Sequence, residues 1–153
     1  MALLLAPVGL RTTPSFSVPF PCGQTWIGAT RTSHRPPQAI DFNRVDDRGA
    51  AVVASEHGTV EMVEAAHESY GGLVVVDHGD RWQTYSAHLE TITVAEGEEV
   101  ERGDVIGTVG STGRSDGAHL HYEQRLDGRP MRTVFHARET PSRVTRPYTT
   151  AAC

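Results

Sequence analysis

The 153-residue chain predicts an all-β domain, and three observations carry that prediction. From Ala50 onward, short runs of alternating or continuously apolar residues follow one another at regular spacing. Glycine-rich breaks separate them, at Gly71-Gly72, at His78-Gly79-Asp80 and across residues 110–117. No window keeps a helical period for more than a few turns; residues 61–68 come nearest, and weakly.

Taken in order, the chain opens on Met-Ala-Leu-Leu-Leu-Ala-Pro-Val-Gly-Leu, which has the apolar character of a secretory signal core without its basic lead. A short apolar extension of no consequence would read the same way. Residues 11–33 are rich in Pro, Ser, Thr and Gly and predict an irregular arm. Strands follow at 51–54 and 58–63, either side of Ser55-Glu56-His57. Residues 73–77 form an apolar run that ends on Asp77, as a buried strand requires, and 82–88 alternate. Between Val94 and Val109, Gly97, Gly103 and Gly107 permit turns while Val100, Val105 and Val109 supply inward positions. A similar phrase occurs in biotin and lipoate carriers, but those need a lysine at a hairpin tip, and this chain has none. The expected organisation is a signal-like remnant and arm at 1–33, a domain at 34–140 and a tail at 141–153.

Composition removes several function classes. A net charge of -5 and a pI near 5.9, with no dense basic stretch, exclude a nucleic-acid footprint. All fourteen basic residues are arginine, so Schiff-base lysine chemistry and a phosphate-loop lysine are impossible. The opening apolar run is far shorter than the ~20 residues of a spanning helix, so no membrane span is expected. Cys22 and Cys153 have no neighbouring ligand at metal spacing. In an oxidising compartment they could join the two ends of the chain; otherwise they are free thiols.

Eight histidines are many for this length, and two stand at i and i+2 in Ala118-His119-Leu120-His121-Tyr122-Glu123. On a strand, His119 and His121 share one face while Leu120 and Tyr122 take the other. Glu123 shares the histidine face, either as a partner orienting a ring or as a solvated strand residue. Upstream, His34 and Asp41 offer an imidazole and a carboxylate. Together with one histidine of the pair they make the three protein ligands of a catalytic zinc site, leaving a fourth position for water. His88, in Thr84-Tyr85-Ser86-Ala87-His88-Leu89, falls at a strand end where its ring can project into a groove. His78 is expected as a hydrogen-bonded turn residue, and His67 and His136 as surface.

These stretches resemble the lysostaphin-type (LytM-like) zinc endopeptidases that cut peptide bonds in bacterial cell walls. The resemblance rests on His34…Asp41-Phe42, Tyr85-Ser86-Ala87-His88-Leu89, the glycine phrase at 97–107, and Gly110-Ser111-Thr112-Gly113-Arg114-Ser115…His119-Leu120-His121-Tyr122-Glu123. It implies an antiparallel sheet of the duplicated-hybrid-motif type with a narrow substrate groove. It also implies one Zn2+ per chain, held by His34, Asp41 and His121, with His88 and His119 as the catalytic pair at the attacking water and tetrahedral intermediate. The commoner family pattern would place the first ligand at Pro37. The longer His-to-Asp loop here resembles the beta-lytic branch, with His57 as the fallback ligand.

The function so implied is a secreted or cell-envelope zinc metalloendopeptidase, expected as a monomer, whose partners are peptidoglycan peptides. The rival is a zinc-bearing wall-binding or regulatory module of the same fold that does not cleave.

Overall fold

The computed structural model describes residues 12–153, and among them the secondary structure is strands alone. In chain order these are β1 (Thr25–Ala29), β2 (Ile40–Asn43), β3 (Ala51–Val53), β4 (Gly58–His67), β5 (Gly71–Asp77), β6 (Trp82–Ile92) and β7 (Glu99–Val100). There follow β8 (Val105–Val109), β9 (Leu120–Leu126), β10 (Arg129–Met131), β11 (Val134–Phe135), β12 (Arg138–Glu139) and β13 (Thr145–Thr149). Eleven form one antiparallel sheet along the path β13-β1-β2-β9-β6-β5-β4-β7, with β10 paired to β9, β8 to β6, and β3 to β8. β11 and β12 make a separate pair. The all-β expectation therefore holds, and the signal-like opening residues lie outside the described part.

Alternation explains how the sheet is used. In β2, Ile40 and Phe42 are buried in the main core while Asp41 faces the other way. In β9, Leu120 and Tyr122 enter that same core and leave His121 and Glu123 on the opposite face. β5 is apolar on both sides because both are covered. Val74 and Val76 belong to the main core, whereas Leu73 and Val75 form a second cluster with Ala87, flanked by Tyr70 and Tyr85.

Three sequence expectations are corrected. Residues 61–67, the nearest approach to a helical period, continue β4 and pair with β5 through two register shifts; ladder pairing outweighs a weak local preference. Within the arm expected to be irregular, residues 25–29 form β1, and within the expected tail residues 145–149 form β13. These two pair along their full length, Thr25 opposite Thr149 to Ala29 opposite Thr145, and β1 then pairs with β2. Neither segment alternates cleanly enough to announce itself, because each is defined by a partner more than a hundred residues away. Ahead of β1, Phe16, Val18 and Phe20 are fully or nearly buried. Phe20 stacks on Trp26 at 3.6 Å between ring centroids, and Phe16 meets Trp82 and His78 edge-on. Cys22 and Cys153 form a disulfide with Cα atoms 5.1 Å apart across a sequence separation of 131.

Candidate metal centre

The register of three neighbouring strands brings distant residues together. Asp41 of β2 lies directly opposite His121 of β9, and His121 lies directly opposite Ala87 of β6. Side chains of directly opposed residues share a face at ~5 Å between Cβ atoms, so Asp41 and His121 meet although they are 80 residues apart. His88 follows Ala87 at the point where β6 leaves β9 and takes up β8, starting with Leu89 opposite Val109. Its backbone is left-handed there (φ 63°), and its N–H donates to the Tyr70 carbonyl at 2.8 Å. Such a conformation is costly for a non-glycine residue and is held by its surroundings. It turns the imidazole onto the Asp41 face. His119 bridges Gly110 just before β9, and His34 comes from the loop before β2.

The five side chains converge. His34 Nε2 lies 2.9 Å from Asp41 Oδ2, and His121 Nδ1 lies 3.1 Å from Asp41 Oδ1. His119 Nε2 is 3.8 Å from the same Oδ1, and the His88 ring is 4.8 Å from that of His119 and 5.7 Å from that of His121. His57 and His78 stand elsewhere. His78 binds the His57 carbonyl and Thr84 Oγ1 at a turn, as expected of it.

Backbone carbonyls fix the tautomers. A carbonyl only accepts, so the proton sits on Nδ1 of His34 facing Ala39 O (3.2 Å), of His88 facing Thr112 O (2.8 Å) and of His119 facing Gly117 O (2.9 Å). With Nδ1 committed in this way, each ring turns its Nε2 toward the site. His121 is the reverse: its Nε2–H donates to Glu123 Oε1 at 2.9 Å, which leaves Nδ1 to face Asp41.

Does this donor set suit a zinc ion? Asp41 contacts the imidazoles directly, and no group of three or more ligands among the described residues already stands at coordination geometry. One atom nevertheless points to a cation. His34 Nε2 is buried, and its one close polar neighbour is Asp41 Oδ2 at 2.9 Å, a contact that does not have hydrogen-bond geometry. An imidazole nitrogen this close to a carboxylate oxygen calls for positive charge between them, which a metal ion supplies as well as a proton does. Two imidazole nitrogens and one carboxylate are also the donor types of a catalytic zinc site. The residues fit the ion.

The surrounding charges agree with the geometry. Burial alone would raise the Asp41 carboxyl, but His121 and His34 beside it hold it well below the ordinary carboxylate range. Burial likewise opposes charge on His121, yet its hydrogen bonds to Asp41 and Glu123 carry it up to about 9, so a metal ion bound at Nδ1 would displace the proton shared there with Asp41. His88 goes the other way: desolvation takes it down to about 4, so its Nε2 keeps a lone pair at neutral pH.

Behind His121 lies a network that sequence reasoning mostly missed. Glu123 is 1% exposed, and its Oε1 accepts from His121 and from the Tyr70 hydroxyl (2.7 Å) while Oε2 accepts from Arg125 Nε (2.7 Å). Arg125 Nη2 donates in turn to Tyr70 (3.0 Å). Of these, only Glu123 had a signal, its shared face with His121. Thr112 supplies the carbonyl for His88 and ties its own hydroxyl to Leu89 O and Gly72 N. The five residues line a groove of about 600 Å³, with Tyr70, Asn43, Arg31, Arg35 and Arg114 around them.

The model of the family described as Peptidase family M23 matches residues 35–133, beginning directly after His34. DD-carboxypeptidase/endopeptidase Mpg of Neisseria meningitidis serogroup B is 39% identical over 136 residues, which cover 89% of this chain and 27% of that protein. Murein hydrolase activator NlpD of Escherichia coli is 38% identical over 84 residues, covering 55% of this chain and 22% of that protein. A zinc-containing peptidase from Vibrio cholerae shares the fold with a TM-score of 0.62 at 29% identity, over 77% of this chain and 39% of that one. The chain spans about a quarter of the length of the curated relatives it matches.

Proposed function

The chain belongs to peptidase family M23, and we propose that it is a zinc-dependent endopeptidase hydrolysing peptide bonds of bacterial peptidoglycan outside the cytoplasm. The observation that carries this reading is the convergence of four separate sequence segments on one groove, with a buried imidazole nitrogen facing a carboxylate. His34 Nε2, Asp41 and His121 Nδ1 would hold the ion. Bound there, zinc would polarise the scissile carbonyl and acidify a water.

The chain's own groups do the rest. His88 and His119, pinned by carbonyls at Nδ1, aim Nε2 into the groove, where each can take a proton from the attacking water and return it to the leaving amine. Once protonated, the same nitrogens donate to the developing oxyanion. Glu123 holds Nε2–H of His121 and so turns Nδ1 toward Asp41 and the ion's place. The Cys22–Cys153 disulfide supports an oxidising, extracytoplasmic setting.

The likeness to a murein hydrolase activator favours a second reading, a zinc-bearing regulatory module of the same fold. Incubation with purified cell walls, with and without chelator, separates the two. Release of wall peptides that stops with chelator supports the enzyme, and a zinc-loaded protein that releases nothing supports the module. For the enzyme, His119→Ala is expected to keep zinc and lose turnover at least about a hundredfold. His121→Ala is expected to lose both. Equal zinc loss in the two variants would contradict these roles.

A further inference from the structure

Beside the groove lies a second cavity of about 200 Å³, lined by Arg31, Thr32, Pro37, Gln38, Arg132, Ser142 and Arg143. Three of its residues are guanidinium-bearing and none is acidic, in a chain whose net charge is -5. Arg31 and Arg143 make no ion pair among the described residues, and Arg132 makes only a loose, exposed contact of 3.9 Å with Glu139. Three cations facing one small hollow repel one another, so the arrangement is stabilised by an anion entering it. Arg143 also holds a left-handed backbone (φ 56°), a conformation that carries a steric cost for a side chain of this kind.

Arg31 lines both cavities, so the basic hollow adjoins the metal groove. A peptide whose reacting bond lies in the groove would have its neighbouring residues within reach of Arg31 at the hollow's edge. The hollow's volume suits one small residue bearing a carboxylate rather than a polymer strand. Planar guanidinium forks match a carboxylate with two parallel hydrogen bonds, and Thr32, Gln38 and Ser142 supply neutral partners.

We propose that Arg31, Arg132 and Arg143 form a carboxylate-binding subsite, and that the peptides this chain takes carry a free carboxylate close to the bond in the groove. The proposal rests on the peptidase reading for its choice of ligand, but its test reads binding separately from turnover. The probe is a doubly N-acetylated Lys-D-Ala-D-Ala peptide, as the free acid and as the C-terminal amide, titrated calorimetrically into the zinc-loaded protein and into an Arg31→Gln/Arg143→Gln variant. The wild type should bind the acid at least about tenfold more tightly than the amide, as expected for a charge-assisted pair. The double variant should bind both as the wild type binds the amide, which also shows that it is folded.

Equal affinity for acid and amide in the wild type, no binding of either, or a preference for the acid that survives in the double variant would overturn the subsite. Tighter capture of a poly(glycerol phosphate) than of the acid peptide, lost in the same variant, would assign the hollow to a phosphate polymer and overturn it too. Acid preference without any cleavage of wall peptides would leave the subsite standing and remove the peptidase reading. Cleavage without acid preference would do the opposite.

Discussion

His121 shows how much a single side chain's role depends on what stands behind it. Its Nδ1 faces Asp41 because Nε2–H is committed to Glu123, and Glu123 is held by Tyr70 and Arg125. Burial would raise the Glu123 carboxyl, but these donors keep it below its ordinary value, so it stays a charged acceptor. Glu123→Gln leaves a weaker acceptor of the same size. Zinc affinity is expected to fall about 10- to 100-fold with the fold intact, measured by competition with a chromophoric chelator. An unchanged affinity would mean that the ring needs no partner to stay oriented.

At the scale of elements, the groove depends on loops docked with almost no clearance. The loop carrying Thr112 crosses the β4–β5 turn, where a Cβ on Gly113 would stand 2.3 Å from Gly71 N and 2.5 Å from Ser69 O. Gly113 also has φ +69°, which favours glycine on its own account. Gly113→Ala should therefore cost about 2 kcal/mol or more in denaturant unfolding. It should lower turnover as well, because the Thr112 carbonyl that holds His88 moves with the loop.

His78 ties its own turn to the one before β4 and to β6, bonding His57 O and Thr84 Oγ1. Burial pushes its imidazole below 6.5, so the folded state prefers it neutral. The unfolded chain binds the proton more readily; its contribution is whole above the unfolded pKa and is lost as pH falls below it. Between about pH 7.5 and about pH 5.5, the unfolding midpoint of the wild type should therefore drop further than that of His78→Asn. Equal drops would show that His78 does not carry the acid sensitivity.

What the sequence made legible was local. Alternation in Leu120–Glu123 and the apolar run of β5 placed the core face and the histidine face correctly, because both follow from the two-residue period of a strand. The exchange of neighbours at His88 was not legible, since a left-handed residue inside a strand has no compositional mark when it is not glycine or asparagine. Tyr70 and Arg125 were invisible for another reason: their meeting with Glu123 depends on sheet order, which no spacing encodes.

For the molecule as a whole, the disulfide ties together the two ends of the described fold. Closing a loop of 131 residues removes enough unfolded-state entropy to stabilise the fold by about 5 kcal/mol on the chain-entropy model. Cys153→Ser, or reduction of the wild type, should lower the thermal midpoint markedly while leaving zinc stoichiometry unchanged, since neither cysteine approaches the groove. Loss of zinc along with the bridge would show that the two are coupled.

Phe42, one residue from Asp41, is covered by Phe20 from ahead of β1 and by Tyr148 from β13. A fragment trimmed to 34–140 would keep every proposed ligand and still uncover this ring. It would leave the β1-facing margin of β2 with unsatisfied amides, free to recruit a strand from another molecule. Such a fragment is expected to precipitate rather than work, because residues 16–29 and 145–149 serve as the lid on its hydrophobic floor.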